Sequence, residues 1–178
     1  MATSTTLALP QAPTPVVSVV QEAAAASGSV KLTAYNAVPE QTDDTPFITA
    51  SGLRTNPETI AARSRDLAEE LPFGTIIALD APEKSNSCGF TVVEHLIGYR
   101  VIADTMHERK RDQIDVLLNE NDTVMIGVSG KPKKETNPAR AMGICNVTYH
   151  VVGKITLKEV PDTQAELATM VKKTLAQK

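Results

Sequence analysis

Tryptophan is absent from this chain, and phenylalanine and tyrosine contribute only three residues each. A core built from it must rest on Val, Ile, Leu, Ala and Met. Histidine is equally scarce. His95, His107 and His150 are scattered, with no Cys or His neighbour at ligand spacing, so neither a metal site nor a cofactor is expected. Cys88 and Cys145 can close one disulfide in an oxidising compartment or both stay reduced, and the sequence leaves the two states open. An excess of positive charge is missing too: the formal net charge is −3, without the electrostatic footprint of a nucleic-acid binder, so no nucleic-acid partner is expected. No run approaches the roughly 20 apolar residues that span a bilayer. Residues Met1 to Ser29 contain no Lys or Arg, and no apolar run of the roughly 7–15 residues that a secretory signal needs. They read as a disordered or extended arm, either hugging the surface or adding to a partner, or as the remainder of a processed leader.

What is present suits one domain with tails: 178 residues, 42% of them apolar. The fold class is mainly β. Val30–Asn36 alternates apolar and polar residues, Thr75–Leu79 is a β-branched run after a Pro-Phe-Gly turn, and Phe90–Val93, Tyr99–Ala103 and Ile114–Leu118 continue the series. Gly143–Leu157 is long enough for one bent strand or for two joined near Gly153. Short strands at close intervals favour a closed barrel, which leaves no unpaired edge. Two stretches read as helices. Glu58–Glu70 follows Asn56-Pro57, and Thr163–Ala176 carries a narrow apolar stripe behind Asp162, which can cap it. Residues Ala81–Gly89 and Gly130–Arg140 read as solvated loops, the second basic enough to meet an anionic wall polymer. The expected organisation is an arm over 1–29, a barrel over 30–160 and a C-terminal helix over 161–178. The helix is available to the barrel itself or to an oligomer or assembly partner.

Chemistry concentrates between residues 101 and 118. Asp104 and Asp115 sit among Val101, Ile102, Ile114, Val116 and Leu117, on either side of the polar segment Met106 to Arg111. A carboxylate among such residues is expensive to bury unless it is paired or used, so the two acids form a candidate site.

Further motifs lie upstream: Leu32-Thr-Ala-Tyr35, Ile48-Thr-Ala-Ser-Gly52, Ile60-Ala-Ala62 and Leu71-Pro-Phe-Gly-Thr75, followed by Ala103-Asp-Thr105 and Ile114-Asp-Val116. In this order, from about Val30 to Val128, the chain resembles the three-aspartate domain. This is a six-stranded double-psi β-barrel related to membrane-bound lytic transglycosylase A and other muralytic proteins. The resemblance implies cleavage of the β-1,4 bond of peptidoglycan glycan strands without water, the sugar's own 6-hydroxyl closing an anhydro ring. It also implies an extracytoplasmic or virion-associated setting. It maps the catalytic aspartate onto Asp115 and a second acid onto Asp104. Thr49, Ser51 and Thr105 fall on hydroxyl-bearing groove positions, Tyr35 on a residue that stacks on or supports a sugar, and Asp44 on a further carboxylate. The family's second aspartate is replaced by Arg63, with Asp66 nearby. Its glycine-rich Asp-Thr loop is replaced by the bulky, charged Asp104-Thr-Met-His-Glu-Arg-Lys-Arg111. Beside catalysis stands an architectural reading. Asp104 then caps backbone N–H groups, Thr49 and Ser51 form a turn, and the barrel is a catalytically silent structural or assembly module.

Overall fold

The computed structural model describes residues 26–42, 45–81, 88–127 and 133–176. Asp44 and most of the expected N-terminal arm lie outside the described residues. Six strands close a barrel: β1 (Ser27–Tyr35), β2 (Ile60–Arg63), β3 (Thr75–Leu79), β4 (Arg100–Thr105), β5 (Gln113–Leu117) and β8 (Cys145–Lys154). Around the ring they run β1-β5-β2-β4-β3-β8. The pairs β1/β5 and β2/β4 are parallel, and the other four are antiparallel. Exchanging β1, β2 and β3 for β4, β5 and β8 reproduces the same order and directions. The mainly β, double-psi class expected from the sequence therefore appears as a twofold symmetry of connectivity. Strand β8 is a single long strand whose register slips opposite Ile76 and Ile77, which settles the choice between one strand and two.

The interior is aliphatic, as the scarcity of aromatics requires: Leu32, Ile77, Ile102, Ile114 and Val116 are fully buried. Each such side chain contributes about 1.5–3 kcal/mol on leaving water. A separate cluster of Tyr35, Ile60, Ala62, Ala103, Met106 and Leu117 lies around the acids. Outside the barrel, helix α3 (Gln164–Leu175) buries Leu167 and Val171 against Ile76, Val101 and Ile155, so its apolar stripe covers its own barrel. The segment Gly130–Arg140, read as a solvated basic loop, contains strand β7 (Lys134–Thr136), which pairs with β6 (Val124–Ile126), and the start of helix α2 (Pro138–Met142). Among the described residues no helix is long and apolar enough to cross a membrane.

Three local expectations are overturned. Glu58–Glu70 is not a helix. Ile60–Arg63 is barrel strand β2, and only Arg65–Ala68 coils, as a 3₁₀ turn. Ala61 and Ala62 favour a helix locally, but this strand lies buried between β4 and β5, and tertiary pairing outweighs propensity. Phe90–Val93 is not a strand but the start of helix α1 (Phe90–Ile97), which buries Phe90, Val93 and Ile97 on one face. The helix stops at Gly98, whose φ of +53° suits glycine and whose missing Cβ leaves room for the Gln164 side chain. Finally, α3 is capped by Thr163 in a reciprocal box with Glu166, not by Asp162.

Cys88 and Cys145 are joined in a disulfide, with Cα atoms 5.5 Å apart, tying the start of α1 to the start of β8. Arg100, the first residue of β4, is wholly buried. Its guanidinium donates to the carbonyls of Ile97 (2.6 Å), Pro57 (2.6 Å), Leu117 (3.1 Å), Ile60 (3.4 Å) and Leu96. Leu96 and Ile97 end α1, so this one side chain satisfies helix-terminal carbonyls while linking three strands.

Candidate functional site

The parallel register places Thr33 of β1 beside Asp115 of β5. On the other side of β5, Ala62 of β2 pairs with Asp115 and, across its bulge, with Asp104 of β4. A methyl group is all that Ala62 places between the two acid-bearing strands. Asp104 and Asp115 consequently line one groove of about 620 Å³ together with Tyr35, Ala62, Thr49 and Thr105. The two acids proposed as one candidate site thus border a single cleft.

The carboxylates are held differently. Asp104 accepts N–H bonds from Ala50 and Thr105 on Oδ1, both at 2.8 Å, and the Tyr35 hydroxyl on Oδ2 at 3.0 Å. Asp115 accepts one hydrogen bond, from Thr33 Oγ1 to Oδ1 at 2.9 Å, and among the described residues Oδ2 has none. The Gln113 amide donates to Thr33 Oγ1 at 2.9 Å. With a donor already at its oxygen, the Thr33 hydroxyl turns its own proton to Asp115 Oδ1. A proton carried by Asp115 therefore belongs on Oδ2. Burial pushes the Asp115 carboxyl up to about 6, and neighbouring Asp104 adds to the rise. The Thr33 bond and the Lys110 ammonium oppose it. Burial and the Asp104 charge also drive the Tyr35 phenol well above its ordinary range, so Tyr35 remains a donor to Asp104.

The other anticipated residues divide. Thr49 and Thr105 lie on the groove wall, whereas Ser51 is not part of it. Thr49 and Ser51 build a tight turn: Thr49 Oγ1 accepts the Leu53 N–H at 3.1 Å, the two hydroxyls are 3.0 Å apart, and Gly52 takes φ +84°. The Ser51 N–H donates to the Ala103 carbonyl at 3.2 Å. The effect of the turn is to aim the Ala50 N–H at Asp104. Tyr35 is buried with its hydroxyl occupied by Asp104, so its role is support of the acid, not stacking on a sugar. Asp66 does not line the groove. It accepts the N–H of Asp112 at 2.9 Å, steadying a residue whose φ is +48°. Arg63 turns away to the Leu71 carbonyl (2.8 Å) and the Phe73 ring (5.2 Å).

Segment 106–111 does not seal the cleft. Met106 packs inward beside Tyr35 and Ala62, His107 and Lys110 contribute to the wall, and residues 107–111 are exposed. Sequence reasoning missed Thr33, Gln113, Arg65 and Lys110 as site residues. For Thr33 a signal existed: it shares strand parity with Tyr35 in Leu32-Thr-Ala-Tyr35, and so faces the same side. No group of His, Cys, Asp and Glu among the described residues is arranged to hold a metal ion. No protein-family model matches the chain, and no match was found among curated proteins.

Proposed function

We propose that the protein cleaves glycosidic bonds in peptidoglycan-type glycan strands, with Asp115 as the single group that gives and then takes a proton. The observation that carries this reading is the asymmetry of the pair. Asp115 lines the groove, is pushed up toward neutrality and has no hydrogen bond to Oδ2 among the described residues, beside an Asp104 held by three donors. In this mechanism the Oδ2 proton passes to the leaving glycosidic oxygen as the C1–O bond breaks, and positive charge develops on the sugar ring. Asp104, fixed by its donors, faces that charge. The sugar's 6-hydroxyl then attacks C1 and surrenders its proton to Asp115, restoring the starting acid. No external water is activated, so a second base is unnecessary, in contrast to the ordinary paired-carboxyl arrangement. The Cys88–Cys145 disulfide supports an oxidising, extracytoplasmic or virion-borne setting for such chemistry.

The test is incubation with peptidoglycan sacculi and mass analysis of the soluble products. Wild type is expected to release anhydro-muropeptides, and Asp115→Asn to lose about 10²–10⁴-fold in rate while remaining folded. Full activity in the folded variant would remove Asp115 from the mechanism. The three internal donors on Asp104 favour a second reading, a catalytically silent module in which that acid is architectural. Wild type that sediments with sacculi yet releases nothing would decide for binding without turnover.

A further inference from the structure

Thr33 and Gln113 stand behind Asp115 and outside the lining of the groove, so neither is placed to touch what the groove holds. Gln113 opens β5 and is buried. Its main chain is held at both polar groups by one neighbour: the Gln113 N–H donates to Ser64 Oγ at 3.1 Å, and the Ser64 N–H donates to the Gln113 carbonyl at 2.9 Å. The side chain therefore starts from a fixed point. In the β1/β5 register Lys31 lies opposite Gln113 and Thr33 opposite Asp115, and the Gln113 amide nitrogen crosses diagonally to Thr33 Oγ1 at 2.9 Å. Gln113 and Asp115 share strand parity, which puts amide, hydroxyl and carboxylate on one face of the pair.

A hydroxyl owns one proton and two lone pairs, and its neighbours decide which way the proton points. An amide NH2 only donates. It occupies a lone pair of Thr33 Oγ1 and commits the hydroxyl proton to Asp115 Oδ1, 2.9 Å away. A second proton on Oδ1 would meet the first head-on, so the acid's own proton is confined to Oδ2, the oxygen with no hydrogen-bond partner among the described residues. Were the amide absent, the Thr33 hydroxyl could turn, and a protonated Asp115 could give its hydrogen bond inward to Thr33 Oγ1. We propose that Gln113 is a positioning residue for the acid of this groove: by fixing the direction of the Thr33 hydroxyl, it keeps the Asp115 proton on Oδ2 and away from the protein's own acceptor. The inference rests on the reading of Asp115 as the proton donor, and adds what holds that proton in place. Gln113 acts through Thr33.

The experiment reads the Asp115 carboxyl directly, by carbon NMR titration of the full chain labelled at aspartate, with the Asp115→Asn chain supplying the assignment. Gln113→Met removes the donor while keeping length and bulk. The Asp115 midpoint is expected to rise by roughly 0.5–1 in pH, because the neutral acid gains an acceptor in Thr33 Oγ1 that the amide had denied it. Combined with Thr33→Val, the same substitution should add nothing to the rise that Thr33→Val causes alone, since no hydroxyl remains to be steered. Combined with Thr33→Ser, which retains a hydroxyl, it should again raise the midpoint. A shift that is equal with and without the hydroxyl, or absent from both, would overturn the inference. If Gln113→Met does not fold, the isosteric Gln113→Glu serves the same comparison: its carboxylate draws the Thr33 proton away from Asp115, and the rise should be larger with the hydroxyl than without it. Turnover keeps the two readings apart. On sacculi, Gln113→Met should stay several-fold slower than wild type even well below the midpoint, where Asp115 is protonated in both chains, and equal rates there would overturn the positioning role. Wild type that releases nothing while the coupling to Thr33 is present would overturn the glycan reading and leave the placement of the proton standing.

Discussion

Arg100 and Asp115 are both drawn away from water in this barrel, and in opposite ways. Arg100 is enclosed, and its guanidinium is met by carbonyls from five residues, with no carboxylate at ion-pair distance among the described residues. Burial draws it down to about 9, which leaves it charged at neutral pH. Asp115 borders an open groove, and one of its oxygens has no hydrogen-bond partner among the described residues. The difference separates architecture from chemistry. A buried charge whose hydrogen-bonding capacity is taken up by backbone holds the fold together, whereas one left half-satisfied at an accessible surface has capacity to offer a substrate.

The largest effect expected on either side of this comparison is Arg100→Met. The substitution keeps much of the volume but strips donors from the Leu96 and Ile97 carbonyls that end α1 and from Pro57, Ile60 and Leu117. Loss of about 3–5 kcal/mol is expected, by analogy with breaking buried charged networks. Urea unfolding followed by circular dichroism measures it. A change below about 1 kcal/mol would mean that water or rearrangement satisfies those carbonyls, and the structural half of the comparison would fail.

A smaller and pH-dependent effect is expected from Asp115→Asn. The folded state raises this carboxyl from its ordinary 3.8 to about 6, so the native protein holds the proton more tightly than the unfolded chain. Stability from this group is therefore greatest below about pH 4 and declines as pH rises toward and past 6. The full decline is on the order of 2–3 kcal/mol. Asparagine carries no charge and escapes it. The stability of the variant minus that of wild type should accordingly grow between pH 4 and pH 7, other titrating groups being common to both. A difference that stays flat over this range would show that Asp115 is solvated like any surface aspartate, and would deprive it of its suitability as a proton donor.

How much of this contrast was legible beforehand follows from the range of the interactions involved. The strands over Val30–Asn36, Thr75–Leu79, Tyr99–Ala103 and Ile114–Leu118 are found within a residue or a few of their expected bounds, because alternation and β-branching act locally. The pairing of Asp104 with Asp115 in one cleft was legible from their position around a single polar segment. Arg100 was not. Its environment is assembled from carbonyls at 57, 60, 96, 97 and 117, and nothing in Tyr99-Arg-Val-Ile102 distinguishes it from an exposed residue at a strand start. The same holds for β2, whose alanines acquire their meaning only between β4 and β5. Helix α1 shows the converse error. Phe90-Thr-Val-Val reads as strand over four residues, and only the longer spacing of Phe90, Val93 and Ile97, ended by Gly98, shows a helical face.

The smallest effect sharpens the comparison within the groove itself. Tyr35→Phe removes one of three donors from Asp104 while keeping the ring that packs with Ile60 and Leu117. Oδ1 keeps its two N–H bonds, and Oδ2 still borders the groove and can be reached by water, so the loss expected is about 0.5–1.5 kcal/mol. Urea unfolding of the variant beside Arg100→Met gives the ratio directly. Because Tyr35 acts through Asp104, cleavage should fall through kcat with KM little changed. A loss as large as that of Arg100→Met would mean that Asp104 is locked into the fold as firmly as the arginine, and would move this acid from the chemical side of the comparison to the architectural one.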